Sequence, residues 1–244
     1  MDSDDEPLAL SAATLAALQQ FKQEETERKQ QFEKLFQKSE EQFERQQFSI
    51  DTFQENWQLS QFWYTDETAD ILAKALLDGA DEDTVICIAS APSVYAAVTR
   101  MPEEDIPTKH IYLLEYDSRF GVMAGKDHFF VYDYNKPDDV PEVIRNKCHR
   151  LLLDPPFLEE ECQTKSALAA RNLLAKDEGE KTASGDYKYK LISSTGERMR
   201  DIMKKTYPET RLTSFLPQHK NGLSNEFRCY ASFEGAYWKF DDTI

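Results

Sequence analysis

Asp154, Pro155, Pro156 and Phe157 follow directly on Leu151-Leu152-Leu153, and together they can hold an amine. Two prolines donate nothing to a sheet ladder, so an apolar strand that runs into them must stop there. Their fixed φ also keeps the segment extended and stiff. The result is a rigid platform with one carboxylate, the free carbonyl of Pro155 and one aromatic face. An amino group can donate to both oxygens while its lone pair points elsewhere, and Phe157 can pack on whatever carries it. A planar exocyclic amine and a flexible aliphatic one both meet these terms. The plain alternative is a strand closed by a Pro-Pro turn, with Asp154 as a helix cap.

Such a platform has to be placed by a sheet, and the apolar runs predict one. Residues 84–89, 110–115, 129–132, 150–153 and 188–193 read as strands separated by helical or loop segments, with later runs at 213–216 and 227–233. Ala69, Leu72, Ala73 and Leu76 mark a helix over 68–77 that Gly79 stops, and 197–205 is a second amphipathic segment. Continuous apolar strands alternating with helices predict a parallel sheet covered on both faces. The last two strands lack a long crossover and predict an antiparallel hairpin at one edge. The fold class is therefore α/β, a doubly wound, mostly parallel sheet of seven strands with a reversed final strand. Ligands of such sheets bind outside the carboxyl ends of the strands.

Those ends carry an ordered series. After the first strand come Ala89, Ser90 and Ala91, small residues that let a ligand approach the backbone. Glu115 ends the second strand, where an acidic side chain can accept both hydroxyls of a ribose, and Asp117 is the alternative. Asp133 and Tyr134 follow the third, and Asp154 the fourth. Upstream lies an aromatic segment, Trp57, Gln61, Phe62, Trp63 and Tyr64.

The Asp-Pro-Pro-Phe motif on a fourth strand resembles the signature of the amino-methyltransferases, which act on adenine N6, glutamine N5 or lysine Nε. With Gln61-Phe62-Trp63-Tyr64, Glu115-Tyr116-Asp117-Ser118-Arg119-Phe120 and Asp133-Tyr134-Asn135 included, residues 50–244 resemble the eukaryotic lysine methyltransferases of translation elongation factor 1-alpha. That family was formerly described as adenine-specific. The resemblance implies a Rossmann-like class I methyltransferase fold and S-adenosylmethionine as methyl donor. It implies Asp154 to Phe157 around the amine, and a cofactor held by Gln61 to Tyr64, Ala89 to Ala91, Glu115 or Asp117, Asp133 and Tyr134. The family's first turn is usually glycine-rich, and here it has no Gly. The aromatic segment would fold over the cofactor, or else Trp57, Phe62 and Trp63 anchor the core.

Composition separates the substrates. Forty-five acidic against twenty-nine basic residues give a net charge of −16, which repels a phosphate backbone and attracts a basic protein. The basic residues Lys188, Lys190, Arg198, Arg200, Lys204 and Lys205 form one cluster, read as an exposed helix face and strand end. Charge thus favours a protein amine, and the resemblance implies a lysine of elongation factor 1-alpha, with adenine N6 as the alternative and a catalytically dead binding scaffold as a third reading. Cys87, Cys148, Cys162 and Cys229 lack ligand spacing, so they are expected as buried thiols, with no metal. No apolar run reaches membrane-spanning length and the N-terminus is acidic, so a cytoplasmic protein with no membrane partner is expected. Residues 1–52 are expected as an acidic tail and helical extension with a broken apolar stripe over 11–48, and 53–244 as the methyltransferase domain.

Overall fold

The computed structural model describes residues 49–223 and 225–241, together with residues 19, 20, 22 and 23. These last four are helical and exposed, and the rest of the helix expected over 11–48 lies outside the described residues. From Ser49 onward the chain enters one compact unit, and Ile50, in a short 3-10 turn, is already buried in its core.

Seven strands form one sheet: β1 Ile86–Ala89, β2 Ile111–Glu115, β3 Phe129–Val131, β4 Arg150–Leu153, β5 Lys190–Gly196, β6 Arg211–Leu212 and β7 Phe227–Ala231. Their order is β3-β2-β1-β4-β5-β7-β6. The first five run parallel, and β7 is antiparallel to both of its neighbours. The late hairpin is present as expected, with β7 inserted against β5 and two-residue β6 left at the edge.

The central strands are buried on both faces, which explains their unbroken apolar runs. Ile86, Ile88, Leu113 and Leu152 face a core completed by helices α1 (Asp66–Leu77) and α2 (Pro92–Arg100). The alternating Cys87, Ala89, Leu114, Leu151 and Leu153 face the other way, toward α4 (Glu160–Leu173) and α5 (Arg200–Thr206), while α3 is the single turn Gly121–Ala124. All four cysteines are buried and free. No helix among the described residues is long and apolar enough to cross a membrane.

Local chemistry sets the ends. α1 begins two residues before the expected start because the Thr65 hydroxyl caps it, accepting from Thr68 N at 3.2 Å. It ends at Gly79, whose φ of +69° suits glycine, and a Cβ there would lie 2.6 Å from the Asp186 carboxylate. β5 runs on to Gly196 past Ser193, because Ser194 and Thr195 pair with β7 and are wholly buried. The run at 213–216 is not a strand, since the Thr213 hydroxyl turns back onto the Cys229 carbonyl at 2.9 Å. Trp238 is buried against Phe215 and Phe233 and belongs to the core.

The basic cluster predicted from sequence does not exist as one patch. Lys188 and Lys190 stand at the start of β5, and Arg198, Arg200, Lys204 and Lys205 follow its end. Seven strand residues separate the two groups by roughly 20 Å. Lys190 is moreover buried, its ammonium 2.5 Å from Asp186 and 2.8 Å from the Asp78 carbonyl.

Candidate active site

A cavity of about 570 Å³ opens over the carboxyl ends of β1 to β5. That volume suits a ligand of nucleoside size. Gln61, Phe62, Trp63, Tyr64, Ser90, Ala91, Glu115, Asp133, Tyr134 and the whole Asp154-Pro155-Pro156-Phe157 segment line it. Ala89 and Asp117, also expected in the site, do not. Ala89 is a buried strand residue whose carbonyl accepts from Asp154 N at 3.1 Å, which fixes where the motif leaves β4.

The turn after β1 lacks glycine yet takes a glycine-like path. Ser90 adopts φ +57°, a left-handed conformation that costs an ordinary residue about 1 kcal/mol. Pro92 then occupies the first turn of α2, and no described side chain caps that helix. Pro92 brings no amide, and Val94 N and Tyr95 N turn back onto the Ala91 carbonyl at 3.0 and 3.4 Å, while Ser90, Ala91 and Ser93 line the cavity at the positive end of that helix.

Glu115 and Asp117, the two acids named for this position, have different surroundings. Arg119 grips Asp117 through Nε at 2.8 and 3.0 Å, and the Gln61 amide donates to it at 3.1 Å. Burial alone would raise the Asp117 pKa, but Arg119 and Gln61 together hold it below the usual carboxylate range. Asp117 is thus a tie between the aromatic segment and the sheet. Glu115 is 6% exposed and lines the cavity, and burial pushes its pKa up to about 7 against the hydrogen bond from Asp117 N.

Asp154 is also unusual. The residue is half-buried at the edge of the cavity, and desolvation there pushes its pKa up to about 7. The neighbouring Tyr64 hydroxyl works against that rise and the charge of Glu115 adds to it. Tyr64 is 1% exposed; its hydroxyl faces Asp154 and Ser194 without a hydrogen bond of good geometry to either. Burial, and then the Asp154 charge, keeps this phenol protonated far above its ordinary pKa. Phe157 meets the Tyr134 ring edge-on at 5.8 Å, and its carbonyl accepts from Gln163 at 3.0 Å, so the platform is braced from α4.

The aromatic segment answers both readings. Trp63 is a core anchor: its indole donates to the Phe53 carbonyl at 2.8 Å and stands edge-on to Phe120. Phe62 and its neighbours from Ser60 to Tyr64 line the cavity, and Trp57 is 72% exposed. The sequence reading missed Ser93, Tyr116, Tyr132, Arg198, His219, Asn225 and Phe227 among the lining residues. Tyr132 ends a run that was read as strand, so its place beside Asp133 was within reach. His219, Asn225 and Phe227 come from a loop and strand far along the chain, with no motif to mark them.

A family model described as Probable N6-adenine methyltransferase matches residues 55–235. The chain is 57% identical to Protein-lysine N-methyltransferase EFM5 of Saccharomyces cerevisiae, over 95% of this chain and 94% of that one. It is 37% identical to EEF1A lysine methyltransferase 1 of Homo sapiens, again over 95% and 94%. Among solved structures, a branched-chain polyamine synthase mutein from Thermus thermophilus, in complex with N4-aminopropylspermidine and 5'-methylthioadenosine, superimposes with a TM-score of 0.50. It covers 79% of this chain and 65% of its own at 14% identity, a likeness of fold alone.

Proposed function

From a chain that belongs to the Probable N6-adenine methyltransferase family, and whose near full-length relatives are named as protein-lysine methyltransferases, we propose a lysine methyltransferase of translation elongation factor 1-alpha. The methyl donor is S-adenosylmethionine, and the site of action is the cytoplasm. The observation that carries this reading is the 57% identity to the yeast enzyme, read together with a cavity that ends on Asp154. The family description names adenine, but the two relatives match almost the whole chain and both are named for lysine. The net charge of −16 favours the same choice. In this reading residues 1–52 are the extension and 53–244 the catalytic domain, although Ile50 is already buried in the core of the latter.

The residues present fit the cofactor. Ser90, Ala91 and the start of α2 would meet its carboxylate, Glu115 its ribose hydroxyls, and Asp133 with Tyr134 its adenine. Gln61 to Tyr64 would cover it, with Asp117 and Arg119 holding that cover. Bound there, the cofactor supplies an electrophilic methyl on a sulfonium.

The chain's own work is positioning and proton handling. Asp154 and the Pro155 carbonyl accept from the amine, and Phe157 packs on the lysine stem. A lysine arrives protonated, with an ordinary pKa near 10.4, and must lose a proton to expose its lone pair. A carboxylate with an ordinary pKa would hold that proton poorly. Burial has moved Asp154 to about 7, so it can both orient the ammonium and take its proton at neutral pH. Labelled cofactor incubated with purified elongation factor 1-alpha, or with DNA, tests the proposal. Label on a lysine of the factor is expected, whereas predominant label in nucleic acid would overturn it.

A further inference from the structure

Three rings meet on one wall of the cavity. A backbone bridge joins Tyr64 to His219, and their rings lie 4.7 Å apart at 36°. Phe227 meets the His219 ring edge-on at 4.6 Å. All three line the cavity that contains Asp154. Their placement is held by backbone and ion pairs rather than left to a free loop. Lys220 N donates to the Trp63 carbonyl at 2.8 Å and Thr65 N to the Gln218 carbonyl at 2.9 Å. The Lys220 ammonium lies 2.7 Å from Asp51 and 3.2 Å from Asp66.

Strand order assigns this wall to one side of the chemistry. Glu115 and Asp133 end or follow β2 and β3, on one side of β4. Phe227 opens β7 and the Tyr64 hydroxyl faces Ser194 on β5, so the rings stand on the opposite side. Asp154, at the end of β4, lies between. The donor-holding carboxylates and the ring wall therefore approach the same carboxyl from two directions.

We propose that His219, backed by the buried Tyr64 ring and met edge-on by Phe227, is a substrate-contacting residue whose ring forms, with that of Phe227, the wall along which the lysine amine reaches Asp154. This inference rests on the lysine reading above. Ring faces attract an alkylammonium and also tolerate methyl groups on its nitrogen, which a wall of hydrogen-bond acceptors would leave poorly matched. The wall works only while the imidazole is uncharged. Burial draws the His219 pKa down to about 4, against an upward pull from Glu55, so the ring is neutral at physiological pH. The adjacent cation, Lys220, is turned toward Asp51 and Asp66.

The test compares the full chain with His219→Phe, His219→Gln and His219→Lys in steady-state transfer to elongation factor 1-alpha. Cofactor affinity is measured in parallel by calorimetry. His219→Phe keeps a ring and should hold the KM for the protein within about threefold of the original. His219→Gln keeps size and polarity without a ring face and should raise that KM roughly tenfold, with kcat much less affected. His219→Lys should lower kcat/KM about 100-fold or more through repulsion of the incoming ammonium. Cofactor affinity should stay within about threefold throughout. An unaffected Gln variant, a Phe variant as impaired as Gln, or cofactor affinity falling in step with activity would each overturn the inference. If the Lys variant fails to fold, the Phe and Gln pair decides alone. An unmutated protein that labels no lysine would instead overturn the parent reading.

Discussion

β4 carries a charged residue at each end, and the sheet treats them in opposite ways. At its start Arg150 is wholly buried and fully engaged. Its guanidinium donates to the carbonyls of Leu76 at 2.8 Å, Asp78 at 2.7 Å, Lys188 at 3.3 Å and Tyr187 at 3.4 Å, with Asp186 at 3.9 Å. Burial lowers its pKa only to about 10, so it stays charged at neutral pH. Four residues later Asp154 is half-buried at the cavity wall with a raised pKa, and a second raised carboxyl, Glu115, stands close enough to push it higher. Buried charge that is satisfied ties α1 and the β5 approach to the sheet. Carboxyls whose charge is disfavoured by burial at the wall of a cavity are what a ligand can complete. The contrast separates the rim that holds the fold from the rim that lines the cavity.

Two substitutions would break this contrast if it is wrong. Asp154→Ala should lower kcat by roughly 10²- to 10⁴-fold, because orientation and proton acceptance are lost together. Cofactor affinity should change little, and urea stability above pH 7 should rise or hold, since a carboxylate whose charge is disfavoured by its surroundings has gone. A stability loss would mean Asp154 is a structural partner. Arg150→Met should do the reverse. It removes the donor from several buried carbonyls and should cost about 3 kcal/mol in urea unfolding. The surviving folded fraction should keep its KM for both substrates. A stable Arg150→Met protein would show that solvent reaches the start of β4.

How much of this was legible in the sequence depended on whether the signal was local. Pro155 and Pro156 declare where β4 must end, so Asp154 could be placed at a strand terminus from five residues. Glu115 and Asp133 were legible for the same reason, each closing an apolar run. Ser90 was placed after its strand too, but the left-handed turn it adopts was not legible, because such a turn is usually announced by glycine. The last three residues of β5 were hidden because Ser194 and Thr195 are polar yet buried by pairing with β7. Lys190 read as exposed, as lysines usually are, and only the tertiary fold supplies Asp186 and the Asp78 carbonyl to bury it. His219 and Phe227 join Tyr64 across more than 150 positions, a distance over which spacing carries no information.

The two rims should also differ in how stability follows pH. Asp154 and Glu115 have folded pKa values of about 7, well above the range near 4 of an unfolded carboxyl. Between those values the native state binds more protons than the unfolded state, so each group makes stability fall as pH rises through about 7. His219 and His149, both lowered by burial, act in the opposite sense, but only up to about pH 6.5. Asp117 and Asp186 are lowered and matter below about 4, and the raised thiol of Cys229 only above about 9. The window from pH 6.5 to 8 therefore isolates the two site carboxyls. Cofactor-free protein should lose roughly 1 kcal/mol per carboxyl across it, read from urea midpoints. The paired substitution Asp154→Ala with Glu115→Gln should flatten the slope, whereas Arg150→Met should shift the whole curve without changing its shape. An already flat profile would mean both carboxyls are hydrated and ordinary, and the two ends of β4 would no longer differ in kind.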